Sequence, residues 1–255
     1  MTSDKDIAKR ALSLLDLTSL NDTDSEETIR ALCAKAVTPH GHVAAVCVWP
    51  RFVALAAELL KDKPVKIAAV SNFPDGGSDI DQAVHTSQQI IEAGGDEVDV
   101  VFPYRAFLRG DVDTAAQLVA ACKKACGEYG RLKVILETGC MPDADSIRKA
   151  SELSLANGAD FIKTSTGKVP VSATPEAAKI MLETLRDTGS EAGFKPSGGI
   201  KDVATAGNYL ALADKIMGEG WVNPDRFRFG ASGVLTSLIA VLDGDDAPAP
   251  ASSGY

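Results

Sequence analysis

Short apolar runs alternate along the chain with longer segments of helical periodicity. The runs are LLDLTSL (14–20), AAVCVWP (44–50), VKIAAVSNF (65–73), EVDVVF (97–102), LKVILET (132–138), ADFIKTS (159–165), AGFKPSG (192–198) and FRFGAS (227–232). Most begin as continuous apolar stretches and turn polar at the end, the pattern of strands buried on both faces by flanking helices. The segments between them carry helix-boundary signals. TPEAAKIMLETLRDTG sets Thr174 as N-cap, Pro175 at the first helical position and Gly189 just past the end. DADSIRKASELSLANG opens on Asp143 or Asp145 and closes at Asn157-Gly158. EAGGDEVDVVFP and LANGADFIKTST use one joint twice: helix end, glycine, aspartate, strand.

Eight strands with helical crossovers in 255 residues predict an α/β protein, a (β/α)8 TIM barrel forming a single domain over residues 1–243. A doubly wound open sheet would carry a glycine-rich phosphate loop after an early strand, and the chain has neither GxGxxG nor GxxxxGK[ST]. The closing DGDDAPAPASSGY is rich in Pro, Ala, Ser and Asp, so residues 244–255 are expected to form a flexible C-terminal tail.

Composition changes this picture mainly by exclusion. A formal net charge of −9 without a basic run argues against nucleic acid or an anionic membrane as partner, although a few local donors suffice to hold one phosphate. The five cysteines are an odd set without a CxxC spacing or nearby histidines, which favours buried free thiols in a reducing compartment over a disulfide or zinc framework. The N-terminal stretch has no apolar core of signal-peptide length, and no run approaches a membrane span. A soluble, cytoplasmic protein is expected.

In a barrel of this type, functional groups gather at the C-terminal strand ends. The polar residues there are Asp16, Cys47, Asp99, Glu137, Lys163 and Lys195. Lysine is seldom buried without a partner or a task, yet Lys163 follows the apolar pair Phe161-Ile162. Either lysine alone would most simply be a strand-end side chain reaching solvent or an ion pair. Two on adjacent strands, ~4.8 Å apart, can depress each other's proton affinity, and a neutral amine attacks a carbonyl to give an imine. Val98 and Val100 share one face of their strand and Asp99 takes the other, and an inward carboxylate near the lysines is either a proton relay or a structural counter-ion. Asp16 is read as an acceptor for a substrate hydroxyl or as a cap for the loop after the first strand. Three glycine-containing turns follow the last three strands: Thr166-Gly167-Lys168, Ser197-Gly198-Gly199 and Ser232-Gly233, the last opening directly into a helix. Backbone N–H groups and a helix N-terminus in this sector suit a phosphate. Lys163 would then do the chemistry and Lys168 supply charge on the phosphate side.

DFIKTSTGK, EVDVVFPYRA, GFKPSGG and the terminal SSGY closely resemble the deoxyribose-phosphate aldolases, a family of class I (Schiff-base) aldolases, over nearly the whole chain from about Leu14 to Tyr255. The resemblance implies reversible cleavage of 2-deoxy-D-ribose 5-phosphate to acetaldehyde and D-glyceraldehyde 3-phosphate without a metal or other cofactor. Its partners would be a small sugar phosphate and aldehydes. Homodimers are common among similar enzymes, so a homodimer is the expected assembly. Position by position, Lys163 matches the imine-forming lysine, Lys195 the neighbour that perturbs it, and Asp99 the proton-transfer carboxylate. Thr166, Gly167, Lys168, Gly198, Gly199 and Ser232 match phosphate-side positions. Gly233 stands where many relatives have a second serine, which removes a hydroxyl but leaves a backbone N–H. Tyr255 would fold over the site to assist proton transfer, against the plainer reading of a disordered terminus. Cys47 is placed to react with aldehyde products, although a simply packed thiol is the better-supported reading. Two competing readings are an imine-forming aldolase of 2-keto-3-deoxy sugar acids, with Arg105 as carboxylate partner, and a sugar-phosphate-binding barrel without turnover.

Overall fold

Each apolar run forms a strand in the computed structural model, which describes residues 3–245. The strands are β1 (Leu15–Thr18), β2 (Ala45–Val48), β3 (Lys66–Ser71), β4 (Glu97–Val101), β5 (Arg131–Ile135), β6 (Phe161–Lys163), β7 (Gly193–Lys195) and β8 (Phe229–Ala231). They are shorter than the runs that predict them because the polar ends peel away into loops. One parallel sheet runs β8-β1-β2-β3-β4-β5-β6-β7. Single parallel bridges, Phe194 with Phe227 and Ser197 with Gly230, join β7 to β8 and close the barrel. An antiparallel pair, Val37–Thr38 with Gly41–His42, precedes β2.

Helices occupy the crossovers, and their ends form where the sequence signals them. Thr174 caps Pro175–Asp187 by accepting from the Ala177 N–H, with Pro175 at the first helical position. Asp143, not Asp145, caps Ala144–Ala156. Gly158 and Gly189 follow their helices at φ +92° and +63°, where a Cβ would be strained. The last helix, Val234–Asp243, ends in a left-handed Gly244. The expected tail beyond residue 245, with Tyr255, lies outside the described residues.

Successive strand residues face opposite ways. Leu15, Leu17, Val46, Val48, Val98, Val100, Leu132, Val134, Ile162 and Phe194 face outward and join the main apolar cluster beneath the helices. The inward residues are unusual for a core. The β2–β3 side presents small apolar groups, and Leu20, Cys47, Ala68 and Val70 form a separate cluster. The rest of the wall is ionic: Asp16, Glu97, Asp99, Lys133, Lys163, Lys195 and Arg228 are all at most 2% exposed. Strand register sets this out, pairing Asp99 with Lys133 across β4–β5 and Lys163 with Lys195 across β6–β7.

Room for these long side chains comes from a glycine. A Cβ on Gly230 would stand 2.4 Å from Ser197 Oγ and 3.1 Å from Lys195 Cε. Gly230→Ala is therefore expected to cost about 1–3 kcal/mol through overpacking, chiefly against Ser197, read from the urea unfolding midpoint, whereas an unchanged midpoint would mean that Ser197 yields to the added methyl.

Candidate active site

Asp99 reaches the middle of the barrel from β4 and gathers three amines. Its Oδ2 accepts from Lys163 Nζ at 2.9 Å and from Lys195 Nζ at 2.8 Å, while Oδ1 accepts from Lys133 Nζ at 2.9 Å. The two predicted lysines thus share one carboxylate oxygen. Asp16 takes Lys195 Nζ at 2.5 Å on Oδ2 and Arg228 Nη1 at 2.7 Å on Oδ1. Glu97 closes the lower part of the network, accepting from Lys133 at 2.5 Å and from Arg228 Nη2 at 2.9 Å.

The lysines are pulled in different directions. Burial pushes Lys163 below the ordinary lysine range; Asp99 opposes this, and the nearby charge of Lys195 reinforces it. Burial acts on Lys195 too, but Asp16 and Asp99 outweigh it and hold the ammonium well above its usual value. Lys133 is likewise raised, burial being overcome by Asp99, Glu97 and Asp16. For Asp99 the burial penalty is overcome by Lys133, Lys163 and Lys195, which keep the carboxyl ionised far below its usual range. The site therefore holds one amine whose proton affinity is lowered beside one held firmly cationic.

The remaining expected residues fall in different places. Cys47 is fully buried on the inner face of β2, and burial raises its thiol to about 11. Asp16 does not cap the loop after β1. That role belongs to Asp24, which accepts from Ser19 Oγ at 2.8 Å and the Asn21 N–H at 3.0 Å. Thr166 presents no free donor: its Oγ1 and N–H both go to Glu137, at 2.5 and 3.2 Å. Glu137 is itself in the left-handed region, φ 57°, and burial raises its carboxyl above the usual value. Lys168 stretches across the mouth to donate to the Leu20 carbonyl at 2.8 Å. Gly167, Gly198 and Gly199 all have positive φ, between 78° and 81°. Ser172 packs so close to Gly198 that a Cβ there would meet its Oγ at 2.5 Å. Ser232 is exposed, and Gly233 is the N-cap of Val234–Asp243. The three glycine turns thus open on one sector of the rim.

Reading only strand ends missed Lys133, Glu97 and Arg228, which sit one layer deeper. The signal was present as isolated charges within EVDVV, LKVI and FRFGA. Alternation puts Glu97 on the same face as Asp99, and register puts Lys133 beside Asp99. Among the described residues no group of three or more His, Cys, Asp or Glu is arranged to hold a metal ion.

A barrel with a buried lysine whose proton affinity is lowered, beside one held cationic, and with glycine turns on one sector of its rim has the groups that imine chemistry on a carbonyl compound needs. The comparisons agree. Residues 10–220 match the family model of the DeoC/LacD family aldolases, and the chain belongs to that family. Three solved structures illustrate the likeness. A Coccidioides immitis protein provisionally named deoxyribose-phosphate aldolase is 28% identical, with a TM-score of 0.83 and coverage of 92% of this chain and 86% of that one. A Toxoplasma gondii protein with the same provisional name is 26% identical, with a TM-score of 0.86 over 96% of this chain and 99% of its own. The deoxyribose phosphate aldolase of Aeropyrum pernix, described as tetrameric, is 25% identical, with a TM-score of 0.76 over 94% and 93% of the two chains.

The thiol of Cys47, buried and raised to about 11, should resist alkylation. In native protein at pH 8 it is expected to react at least tenfold more slowly with iodoacetamide than in urea-unfolded protein, by peptide mass mapping. Equal rates would mean that the barrel interior is open to reagents.

Proposed function

We propose that the protein reversibly cleaves 2-deoxy-D-ribose 5-phosphate to D-glyceraldehyde 3-phosphate and acetaldehyde through a Schiff base on Lys163. The observation that carries this is the pair of amines on one oxygen of Asp99, at 2.9 and 2.8 Å. A neutral Lys163 donates one N–H to that carboxylate and keeps its lone pair for the substrate. Its attack on the C1 aldehyde forms a carbinolamine, and loss of water gives a cationic imine. A base then takes the C3 hydroxyl proton, and the O–H electrons form the carbonyl of glyceraldehyde 3-phosphate. The C2–C3 bond breaks, its electrons making the C1–C2 double bond as the iminium becomes a neutral enamine. Protonation at C2 and hydrolysis release acetaldehyde and restore Lys163.

Lys195 stays cationic throughout and disfavours protonation of Lys163 at rest. Asp99 orients both amines and passes protons by way of water; being so weak a base, it relays a proton and does not store one. The phosphate would sit over Gly198, Gly199, Ser232 and Gly233, at the N-terminus of Val234–Asp243, with the Lys168 ammonium swinging from the Leu20 carbonyl to meet it. In this reading Thr166 acts indirectly: clasped by Glu137, it shapes the turn that carries Gly167 and Lys168. Asp16 is placed by Lys195 and Arg228 as their counter-ion beneath the substrate. Tyr255 is kept as a proton-transfer assistant, Cys47 as the thiol nearest to product aldehydes.

The reaction places the protein in carbohydrate degradation and deoxyribonucleotide catabolism. A cytoplasmic homodimer is the setting and assembly we favour, to be read by light scattering against the tetramer described for the Aeropyrum pernix relative. Among the described residues no helix is long and apolar enough to cross a membrane.

Reduction with cyanoborohydride in the presence of acetaldehyde should leave an ethyl adduct on Lys163 alone. Lys163→Ala should lose both adduct and turnover, while Lys195→Leu should keep Lys163 protonated to higher pH and depress activity near neutrality. An adduct on Lys195 would exchange the two roles, and no adduct on folded protein would remove the imine. Lys168→Ala should raise KM for deoxyribose 5-phosphate about tenfold, consistent with loss of one charged contact, while leaving cleavage of unphosphorylated deoxyribose unchanged. Equal effects on both substrates would take Lys168 off the phosphate.

A further inference from the structure

The sealed network holds four cations, Lys133, Lys163, Lys195 and Arg228, against three carboxylates, Asp16, Glu97 and Asp99. None of the seven is more than 2% exposed, so no bulk water screens an excess charge. An uncompensated charge in such a place is costly, and a group that can shed its proton will do so. Arg228 cannot. Of the lysines, Lys133 lies within 4 Å of three carboxylates (Glu97 at 2.5, Asp99 at 2.9 and Asp16 at 3.5 Å), Lys195 of two (Asp16 and Asp99), and Lys163 of Asp99 alone. Lys163 has the least to lose by becoming neutral.

We propose that the protonation state of Lys163 is set by this count, and that Arg228, which touches neither Lys163 nor the substrate space, is the positioning residue that makes Lys163 the amine left without a proton. Arg228 consumes the attraction of Asp16 at 2.7 Å and of Glu97 at 2.9 Å with a charge that cannot be given up. Its guanidinium is locked further by donation to the Pro224 carbonyl at 2.5 Å and by the Phe161 ring, 5.7 Å away. The other groups facing Lys163 do not alter the count. Cys47 on β2 is a neutral thiol at physiological pH, with burial raising it to about 11. Glu137, just past β5, is clasped by Thr166 and feels the charge of Lys163 ahead of that of Arg105, but it lies outside the ion-pair contacts of the seven groups and is the same in every variant compared below. Asp16 on β1 and Lys133 on β5 reach Lys163 only through Lys195 and Asp99. The signs follow. Removing Arg228 leaves three cations against three carboxylates, so Lys163 keeps its proton. Removing one carboxylate as well restores the excess of one, and Lys163 is neutral again.

The kinetic consequence rests on Lys163 being the imine lysine, but its protonation can be read without substrate. The experiment is a titration of 13Cε-labelled lysine by NMR, with Lys163 assigned from the Lys163→Arg spectrum, alongside the pH profile of cyanoborohydride-trapped imine. Arg228→Met should move the Lys163 titration and the acid limb of trapping upward by about one pH unit or more, a roughly tenfold loss of trapping below the limb. Arg228→Lys, which keeps the charge, should titrate like the parent, and so should the double variant Arg228→Met, Glu97→Gln. If Arg228→Met does not fold, Arg228→Gln, which removes the charge but keeps a donor, takes its place with the same expected upward shift, and an upward-shifted limb in the lysine or double variant overturns the proposal. A merely structural role would give lower activity in all three with an unmoved limb, and that result would also overturn it. A Lys163 titration that moves as stated, with no trapped imine in any form, would sink the Schiff-base reading and leave the charge count standing.

Discussion

One carboxylate oxygen, Asp99 Oδ2, holds both Lys163 and Lys195 in the middle of the barrel, and the rest of the site is arranged around keeping those two amines unlike. Contact with the same oxygen would make equivalent lysines compete. They are not equivalent, because Asp16 adds a second partner to Lys195 alone. A buried ionic cluster of this size is a poor source of stability, since the desolvation of each ion offsets most of what its partners return. The barrel instead draws its stability from the outward faces of the same strands, where Leu, Val, Ile and Phe side chains pack beneath the helices. Alternation along a strand therefore separates stability from chemistry residue by residue: Val98 and Val100 hold β4 in the wall, and Asp99 between them is free to be charged.

The interior is asymmetric, and the asymmetry serves the charges. Leu20, Cys47, Ala68 and Val70 form a small apolar lining opposite the lysine strands. Little there competes with the ionic groups for hydrogen bonds or raises the local dielectric, so each charge is felt strongly by its neighbours. The rim adds its own constraint. Glu137 sits at positive φ, an uncommon conformation for a residue with a Cβ, and its carboxylate clasps both donors of Thr166. That clasp ties the end of β5 to the turn after β6, so Lys163 at the strand end and Lys168 beyond the glycine are positioned by one rigid element.

The fold was legible because its signals are local and repeated: apolar runs of strand length, helix caps at Thr174 and Asp143, glycines past the helix ends. The lysine pair was legible for the same reason, since polar residues at apolar strand ends are visible in a single sequence. Lys133, Glu97 and Arg228 were passed over because each lies within a strand, where a charge can be recognised as functional only by knowing which distant carboxylate faces it. That knowledge is register, and register depends on the whole barrel. The same limit explains Asp16 and Thr166. Their residue types suggested a substrate-hydroxyl acceptor or loop cap for Asp16 and a phosphate-side position for Thr166; Lys195 and Arg228 occupy the Asp16 carboxylate, Asp24 does the capping, and Glu137 takes the Thr166 donors, partners that proximity in sequence does not reveal.

The count of charges bears on bond breaking as well as on the resting amine. With Lys163 neutral, three cations face three carboxylates. In the proposed reaction, converting that amine to an iminium places a fourth positive charge in contact with Asp99, in a volume where nothing exposed can answer it. The C2–C3 cleavage turns the iminium into an enamine and removes that charge. An interior balanced for the neutral amine is therefore also balanced for the enamine, and the cationic imine between them is the species it holds least well. The network thus favours electron flow into the imine nitrogen in the cleavage direction and, by the same balance, keeps the enamine ready to attack an aldehyde in reverse. Asp99 prevents the imbalance from becoming prohibitive: it is ionised beside the nitrogen whenever it is not passing a proton on, so in the proposed reaction the iminium is reachable without being stable.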